Sequence, residues 1–352
     1  MTDQERSDGR TLLLEVRDLR TYFHTESGVT KAVDGVDLSV YRGETLCVVG
    51  ESGCGKSVTA QSILQLVGPP GAIEGGQILY HRPGEATPMD LASMDPKGRQ
   101  IRDVRGGDIA MIFQDPLTSL SPLHTVGKQM SEAVLMHMEV SKSEARERCI
   151  EALGDVGIPR PELRIDAYPF ELSGGMRQRA MIATALACEP ALLIADEPTT
   201  ALDVTTQAQI LDLLATLQEE RGMAIMFITH DLGVVAELAD HVAVLYLGQV
   251  AEQADVDSIF YDPKHPYTQA LLHSIPQLGM TGQRRLNSIR GGVPDPYNRP
   301  AACPFHPRCD QYMPGQCDVR RPQATRIDGR REVRCLLYGD DGALALEGKD
   351  AQ

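Results

Sequence analysis

The sequence contains no tryptophan, and aromatic residues make up only 5% of its 352 residues. It also lacks a long apolar run. The most apolar stretches, such as ALLIA at 191–195, have the length of a buried strand, whereas a membrane-spanning helix needs about 20 apolar residues. The N-terminal segment MTDQERSDGR has neither an apolar core nor a small-residue cleavage site, so it does not resemble a secretion signal. We therefore expect neither export nor a membrane-spanning helix, and any membrane association would come through a partner.

Basic residues are in deficit. The chain has 34 Lys and Arg against 49 Asp and Glu, a formal net charge of -15. Such a molecule is repelled by phosphate backbones rather than steered towards them. We expect no nucleic-acid partner.

Disulfide-forming conditions are not indicated either. Eight cysteines occur in a long chain without a signal peptide, which favours a reduced cytosolic compartment. Four of them are scattered, but Cys303, Cys309, Cys317 and Cys335 lie close together near the C-terminus. This grouping needs its own explanation.

The order of apolar segments predicts an α/β fold. Residues 12–24 and 36–49 have strand patterns, residues 58–67 a helix pattern, and residues 123–165 are mainly helical and charged. Short apolar runs return at 191–196, 224–231 and 241–248, and their alternation with helices predicts a largely parallel sheet interrupted by a helical insertion. Beyond about residue 260 the chain is rich in Pro, Gly and Arg, so long regular elements are not expected, and residues 340–352 are expected to form a loose tail.

A glycine-rich loop links the second strand segment to the first helix. Gly50 to Ser57 reads GESGCGKS, which matches G-x-x-x-x-G-K-[ST] between a strand and a helix. Glycines let backbone N–H groups converge on phosphate oxygens, and the helix N-terminus adds partial positive charge. We expect Lys56 to bridge the β- and γ-phosphates of ATP and the Ser57 hydroxyl to coordinate Mg²⁺. The predicted ATP-binding residues of the loop are Ser52, Gly53, Cys54, Gly55, Lys56, Ser57 and Val58.

Two carboxylates follow the apolar run at 192–195. Asp196 is expected to hold the metal ion through water, and Glu197 to act as the general base that polarises the attacking water. Two acidic residues after a strand are by themselves most often a solvated strand end. Their combination with the phosphate loop favours the catalytic interpretation.

Further motifs carry a family resemblance. They occur along the chain in the order typical of ABC ATPases: Gln114 in IFQDP, LSGGMRQR at 172–179, Thr200 to Asp203 (TALD) and His230 in ITHD. Over roughly residues 12–260 the chain resembles that family. The resemblance implies a P-loop NTPase (RecA-like) core with an antiparallel β subdomain and a helical subdomain at about 115–180, followed by a loop-rich C-terminal extension at 261–352.

The resemblance also implies residue roles. Gln114 would contact Mg²⁺, sense the γ-phosphate and relay movement to membrane subunits, and His230 would contact the γ-phosphate. Asp203 would lie at a dimer seam. Ser173, Gly174 and Gly175 would bind ATP held by a second ATPase subunit, so one chain alone cannot complete a site.

Some positions leave alternatives open. Phe23, with Tyr22 as the alternative, would stack on adenine, although either ring could equally be core packing. Met176 stands where the family usually has Gln after LSGG. Val58 stands where many relatives have Thr, so only the backbone N–H of Val58 can reach phosphate. Cys54, beside Lys56 and a helix N-terminus, is either a reactive thiol of lowered pKa that ATP shields or a buried inert one.

Four stretches of the chain resemble the peptide and nickel importer branch of the family: GESGCGKSVTA, MIFQDPLTSLSP, HPYTQALLHSIP and CPFHPRC. This implies import of di- or oligopeptides, with nickel or oligosaccharides as alternatives. The implied partners are two membrane-spanning permease subunits, a second ATPase that is a paralogue or an identical copy, and, indirectly, an extracytoplasmic solute-binding protein. The implied location is peripheral, at the cytoplasmic face of the cell membrane. Alternatives from other classes are a soluble ABC ATPase acting on ribosomes or DNA and an iron–sulfur regulatory protein.

The four C-terminal cysteines have the spacing C-x5-C-x7-C-x17-C within a region at about 285–338. This spacing lacks the C-x2-C pairs typical of structural zinc sites. Four thiolates on a proline-rich segment can wrap a compact cofactor, and the family resemblance also indicates a [4Fe–4S] cluster. Zinc, or cysteines that are free or disulfide-linked, are the alternatives.

Overall fold

The computed structural model describes residues 9–114, 120–200, 202–274, 289–295 and 297–339. The strands within these ranges are β1 (Leu12–Thr25), β2 (Gly28–Tyr41), β3 (Thr45–Val49), β4 (Gly71–Tyr80), β5 (Met89–Asp90), β6 (Ile109–Ile112), β7 (Leu192–Asp196), β8 (Ala224–Thr229), β9 (His241–Tyr246), β10 (Gln249–Asp255), β11 (Thr325–Asp328) and β12 (Arg331–Val333). The α-helices are α1 (Lys56–Ile63), α2 (Arg99–Val104), α3 (Val126–His137), α4 (Lys142–Asp155), α5 (Pro161–Arg164), α6 (Gly174–Leu186), α7 (Val204–Arg221), α8 (Leu232–Leu238), α9 (Val256–Tyr261) and α10 (Pro266–His273).

The larger sheet has the strand order β11-β12-β10-β9-β3-β8-β7-β6. Strands β9, β3, β8, β7 and β6 run parallel, whereas β10, β12 and β11 are antiparallel to their neighbours. Parallel strands end at the same edge of a sheet, so the segments that follow β3, β7 and β8 meet there. That edge carries the candidate site.

The central strands are buried on both faces. In β3, Cys47 and Val49 belong to the core beneath the helices, while Leu46 and Val48 face the core shared with the smaller sheet. Alternate residues of a strand point to opposite faces, so a strand covered on both sides reads as a continuous apolar run. The predicted parallel sheet is confirmed.

The smaller sheet is antiparallel, with the order β2-β1-β4-β5. It packs over α1, where the Thr21 and Ser62 hydroxyls form a buried hydrogen bond of 2.8 Å. The predicted α/β fold with an antiparallel subdomain is therefore observed.

The helical insertion contains α3 to α6. Helix α4 begins at a capping box, in which the Ser141 hydroxyl accepts from the Glu144 amide and the Glu144 carboxylate accepts from the Ser141 amide. Residues 115–119, at the start of the predicted helical subdomain, lie outside the described residues. The domain boundaries at 180 and 260 stay predictions.

One predicted strand differs from the structure, and the region beyond residue 260 contains short elements that the sequence did not indicate. The strand predicted at 36–49 is divided, because a turn at 42–44 ends β2 and starts β3 in the other sheet. The region beyond residue 260 contains helix α10 and the strands β11 and β12, which join the larger sheet. Pairing with β10 supplies hydrogen bonds that the local composition does not reveal. The predicted tail at 340–352 lies outside the described residues.

None of the helices in the described ranges has both the length and the apolar character required to cross a bilayer.

Candidate active site

The phosphate loop is shaped by glycines. Gly55 has φ +104°, and a Cβ there would lie 2.3 Å from the carbonyl oxygen of Ala32. The Lys56 ammonium is buried and donates hydrogen bonds to the carbonyl oxygens of Gly50 at 2.8 Å and Glu51 at 3.2 Å. The backbone of the loop therefore curls around the lysine head group, in the geometry that places N–H groups around an anion.

The remaining loop residues occupy different environments. Ser52 and Gly53 are exposed at the tip of the loop, whereas Val58 is half-buried on α1. Their positions leave the tip open to a ligand.

Ser57 and Asp196 meet at the sheet edge. The Ser57 hydroxyl donates to Asp196 Oδ1 at 3.0 Å. Burial raises the pKa of Asp196, and the Ser57 hydrogen bond and the Lys56 charge oppose that rise. A hydroxyl and a carboxylate at this distance can share a hard cation such as Mg²⁺. The predicted metal-binding pair is therefore brought together.

Glu197 is held by three side chains. Its Oε2 accepts hydrogen bonds from the Gln114 amide at 2.9 Å and from the Thr200 hydroxyl at 3.0 Å, and its Oε1 lies 3.1 Å from His230 Nδ1. Three residues that are far apart in sequence thus fix one carboxylate. Gln114 and His230 were predicted to contact the metal ion and the γ-phosphate, whereas Thr200 had been noted only as part of a motif.

The backbone and electrostatics of Glu197 suit a general base. Its φ is +47°, in the left-handed region that non-glycine residues seldom adopt and that concentrates at functional sites. Burial alone would raise the pKa of Glu197, but hydrogen bonds from His230 and Thr200 and the charge of Lys56 hold it below its usual value. The carboxylate is therefore ionised at neutral pH and able to accept a proton.

Residues 33–200 match the sequence pattern of the family described as "ABC transporter", and residues 251–317 match that of "Oligopeptide/dipeptide transporter, C-terminal region". The chain is 51% identical over 331 residues to the oligopeptide transport ATP-binding protein OppD of Bacillus subtilis, an alignment covering 94% of this chain and 90% of that one. This chain belongs to the peptide ABC transporter ATP-binding proteins. It is also 47% identical over 341 residues to the dipeptide transport ATP-binding protein DppD of the same organism, covering 97% and 99% of the two chains.

A solved structure shares the fold. The ATP-binding cassette MJ0796, determined as a dimer in a post-hydrolysis state with ADP and phosphate, matches with a TM-score of 0.61 and 26% identity. The match covers 69% of this chain and 99% of that one. The predicted P-loop NTPase cassette fold is confirmed, and this ABC transporter subunit is an ATPase.

The signature residues of this ABC subunit lie at an exposed helix start. Ser173 caps helix α6, and its hydroxyl accepts from the Met176 amide at 3.3 Å. Gly174 has open space around it, so a ligand can approach the N-terminus of α6. Gly175 approaches helix α7, where an added Cβ would lie 3.3 Å from Thr206 Cγ2.

Asp203 caps helix α7 and is exposed. Its carboxylate accepts from the Thr206 amide at 3.0 Å and the Thr206 hydroxyl at 2.7 Å. The adjacent Val204 is 84% exposed, an unusual position for an apolar side chain. Ala201, between Thr200 and Asp203, lies outside the described residues.

The two candidate adenine-stacking residues differ in their contacts. The Tyr22 hydroxyl donates to Asp34 Oδ1 at 2.7 Å, and burial with this hydrogen bond raises the pKa of Tyr22 to about 12. The Phe23 ring covers Gly71, where an added Cβ would come within 2.6 Å of the ring. Tyr22 has a polar partner, whereas Phe23 has only packing contacts here. Which ring meets adenine stays a prediction.

Cys54 lies in a buried environment. It is 3% exposed, and burial raises its pKa even though the Lys56 charge acts in the opposite direction. Loss of water around the thiolate outweighs the effect of the nearby positive charge. Of the two alternatives left open by the sequence, this environment favours the buried inert cysteine, and the reactivity of the thiol stays a prediction.

The four C-terminal cysteines lie near one another. Cys303, Cys317 and Cys335 are buried, and the Cys303 amide donates to the Cys317 carbonyl at 3.1 Å. Burial raises the pKa of Cys335 to about 12, and the other three thiols add to the rise. All eight cysteines are described and none forms a disulfide. Among the described residues, no group of three or more His, Cys, Asp or Glu side chains has the close spacing that one metal ion requires.

Proposed function

We propose that this ATPase powers the import of di- or oligopeptides through two membrane-spanning permease subunits. The observation that carries the proposal is the fixed Glu197 carboxylate next to Asp196 and the phosphate loop. Lys56 and the loop amides would bind the phosphates of ATP. Ser57, Asp196 and Gln114 would hold Mg²⁺, which would supply neutralisation of phosphate charge. Glu197 accepts the proton of the attacking water, and the products are ADP and phosphate.

The second half of the site comes from another ATPase subunit. The exposed start of α6 at Ser173 and Gly174 and the exposed Asp203 and Val204 support a face-to-face pairing of two subunits, because these groups are open to solvent among the described residues. The dimeric cassette MJ0796 supports the same arrangement. His230, whose side chain is 63% exposed, would contact the γ-phosphate of ATP within this pair. The second subunit is either identical or a paralogue.

Peptides are the favoured solutes because the relatives are named for oligopeptide and dipeptide transport. A solute-binding protein outside the membrane would select the solute, and this subunit would sit peripherally at the cytoplasmic face. Nickel or oligosaccharides are the alternatives within the same kind of machine.

We also propose that Cys303, Cys309, Cys317 and Cys335 ligate a [4Fe–4S] cluster. Four thiols that influence one another's pKa from a loop-rich segment support it. The spacing C-x5-C-x7-C-x17-C lacks the C-x2-C pairs typical of structural zinc sites, and zinc is the alternative metal for these cysteines.

The transporter reassembled in liposomes with its permease subunits and binding protein tests the import function. Accumulation of a labelled dipeptide should require internal MgATP and should disappear when the subunit carries Glu197→Gln. Accumulation of nickel but not of peptides would assign the alternative solute. ATP hydrolysis that no permease partner and no solute changes would contradict the import function.

A further inference from the structure

A buried arginine of the cysteine segment contacts the phosphate loop. Arg308 Nη1 donates to Glu51 Oε2 at 2.6 Å, and Nη2 donates to Oε1 at 2.9 Å. The Arg308 side chain is 4% exposed. Glu51 is the second residue of the phosphate loop, and Arg308 directly precedes Cys309. This two-pronged geometry is the strongest form of an Arg–carboxylate pair.

The arginine is fixed from several sides. Its Nε donates to the Arg290 carbonyl at 3.0 Å, and its guanidinium lies 5.8 Å from the centre of the Tyr246 ring. The Tyr246 ring in turn packs edge-on against Phe305, with centroids 5.3 Å apart. Arg308 is therefore held in place by the cysteine segment and by β9 before it reaches Glu51.

The same loop residue has a second contact with the C-terminal region. The Glu51 amide donates to the hydroxyl of Tyr267, a buried residue on α10, at 3.0 Å. Both the amide and the carboxylate of Glu51 are thus bound by residues that follow the nucleotide-binding motifs. The start of the phosphate loop depends on the C-terminal region for its position.

The pair also has an electrostatic consequence. Glu51 places a carboxylate on a loop that is built to receive a triphosphate, and an uncompensated negative charge there would repel the ligand. Arg308 neutralises that charge. An arginine guanidinium stays protonated in proteins, so the pair is an ion pair under all physiological conditions.

We propose that Arg308 is a positioning residue for ATP binding, which acts by neutralising Glu51, so that the folding of the cysteine segment determines the affinity of the phosphate loop for nucleotide. The proposal rests on ATP binding at Gly50–Ser57. It gives the C-terminal region a direct effect on the first step of the ATPase cycle.

The test uses the assembled transporter with variants at both residues. Arg308→Met and Arg308→Gln remove the charge, Arg308→Lys retains it, and Arg290→Met is the matched control because Arg290 pairs with Asp310 at an exposed site. The dissociation constant of the magnesium salt of adenylyl imidodiphosphate is measured by calorimetry, and kcat and KM are measured for ATP.

We expect Arg308→Met and Arg308→Gln to raise the dissociation constant and KM by about tenfold, with kcat at saturating ATP within about twofold of wild type. Arg308→Lys should lie close to wild type, and Arg290→Met should match it. The decisive variant combines Arg308→Met with Glu51→Gln: removing the unpaired carboxylate should return the affinity to within about threefold of wild type.

Two outcomes would overturn the proposal: wild-type affinity in the charge-removing variants, or a double variant that binds as weakly as Arg308→Met alone. The second would mean that the arginine acts only as a structural support. If Arg308→Met does not assemble, Arg308→Gln alone and combined with Glu51→Gln gives the same comparison. Lys56→Ala is measured in parallel, because retention of nucleotide binding in that variant would instead disprove the phosphate site itself.

Discussion

Gln178 of the signature helix donates a hydrogen bond to the carbonyl oxygen of Pro198, one residue beyond Glu197. Both residues are buried. The helix whose N-terminus we propose to contact a second subunit is thus bound directly to the loop that carries Glu197, the proposed general base. The contact fixes the position of the helix relative to that loop.

Gln178→Ala should destabilise the subunit, because it leaves the buried Pro198 carbonyl without a partner. A loss of about 1–3 kcal/mol in the free energy of unfolding is expected from an unsatisfied buried acceptor. Denaturant unfolding measures it. Gln209→Ala, at an exposed position of α7, serves as the control and should change stability by less than about 0.5 kcal/mol. Equal stability of the two variants would contradict the contact.

Glu197→Gln should preserve nucleotide binding while kcat falls at least about a hundredfold, because the amide keeps the shape but cannot accept a proton from water. Lys56→Ala should weaken binding itself. Calorimetry and phosphate release separate the two effects. Glu189→Gln removes a carboxylate from an exposed pair with Arg148 and should leave both quantities unchanged. Near-normal turnover in Glu197→Gln would exclude Glu197 as the base.

The pH dependence of turnover should respond to Thr200. The Thr200 hydroxyl helps to hold the pKa of Glu197 below its usual value, so Thr200→Val should raise that pKa. The general base is active when ionised, and activity is lost as the pH falls through its pKa. The acid limb of the kcat profile should therefore move to higher pH, with little change on the alkaline side. Thr216→Val, which alters an exposed hydroxyl on α7, should not move the limb. If the acid limb of the kcat profile does not move in Thr200→Val, the Thr200 hydroxyl does not influence the pKa of Glu197.

Iodoacetamide should modify Cys54 slowly, with or without MgATP, because burial excludes the reagent and raises the pKa of the thiol. Mass spectrometry of the digested protein measures the labelling. Ser52→Cys places a thiol at the exposed tip of the same loop and should be labelled quickly and protected by MgATP. Rapid labelling of native Cys54 would show that the loop opens in solution.

Protein purified without oxygen should be brown and absorb at about 400 nm, as thiolate-bound iron–sulfur centres do. Cys309→Ser should remove the colour, whereas Cys149→Ser, which alters a cysteine buried in the helical insertion, should retain it. A colourless preparation containing one zinc ion per chain would establish zinc instead.

The sequence predicted the fold and the glycine loop between strand and helix because these depend on local patterns. A strand, a glycine loop and a helix follow one another at Gly50–Ser57, and the apolar runs reveal the buried strands. Contacts between distant segments leave no such pattern. Glu51 and Arg308 are 257 positions apart, and neither residue type indicates its partner. The sequence left the burial of Cys54 undecided for a related reason: the motif specifies the charges near the thiol but not the packing above it.

Strand β12 pairs with β10 through Glu252 and Val333, and β11 continues the sheet beyond it. Without these strands β10 would become the border of the larger sheet, with a row of unpaired N–H and C=O groups facing outwards. Such a border recruits strands from other molecules. Strands β11 and β12 replace a border strand of seven residues by one of four, and short border strands recruit fewer partners. Shortened versions that end before residue 325 are therefore expected to aggregate more readily, even with every nucleotide-binding residue in place.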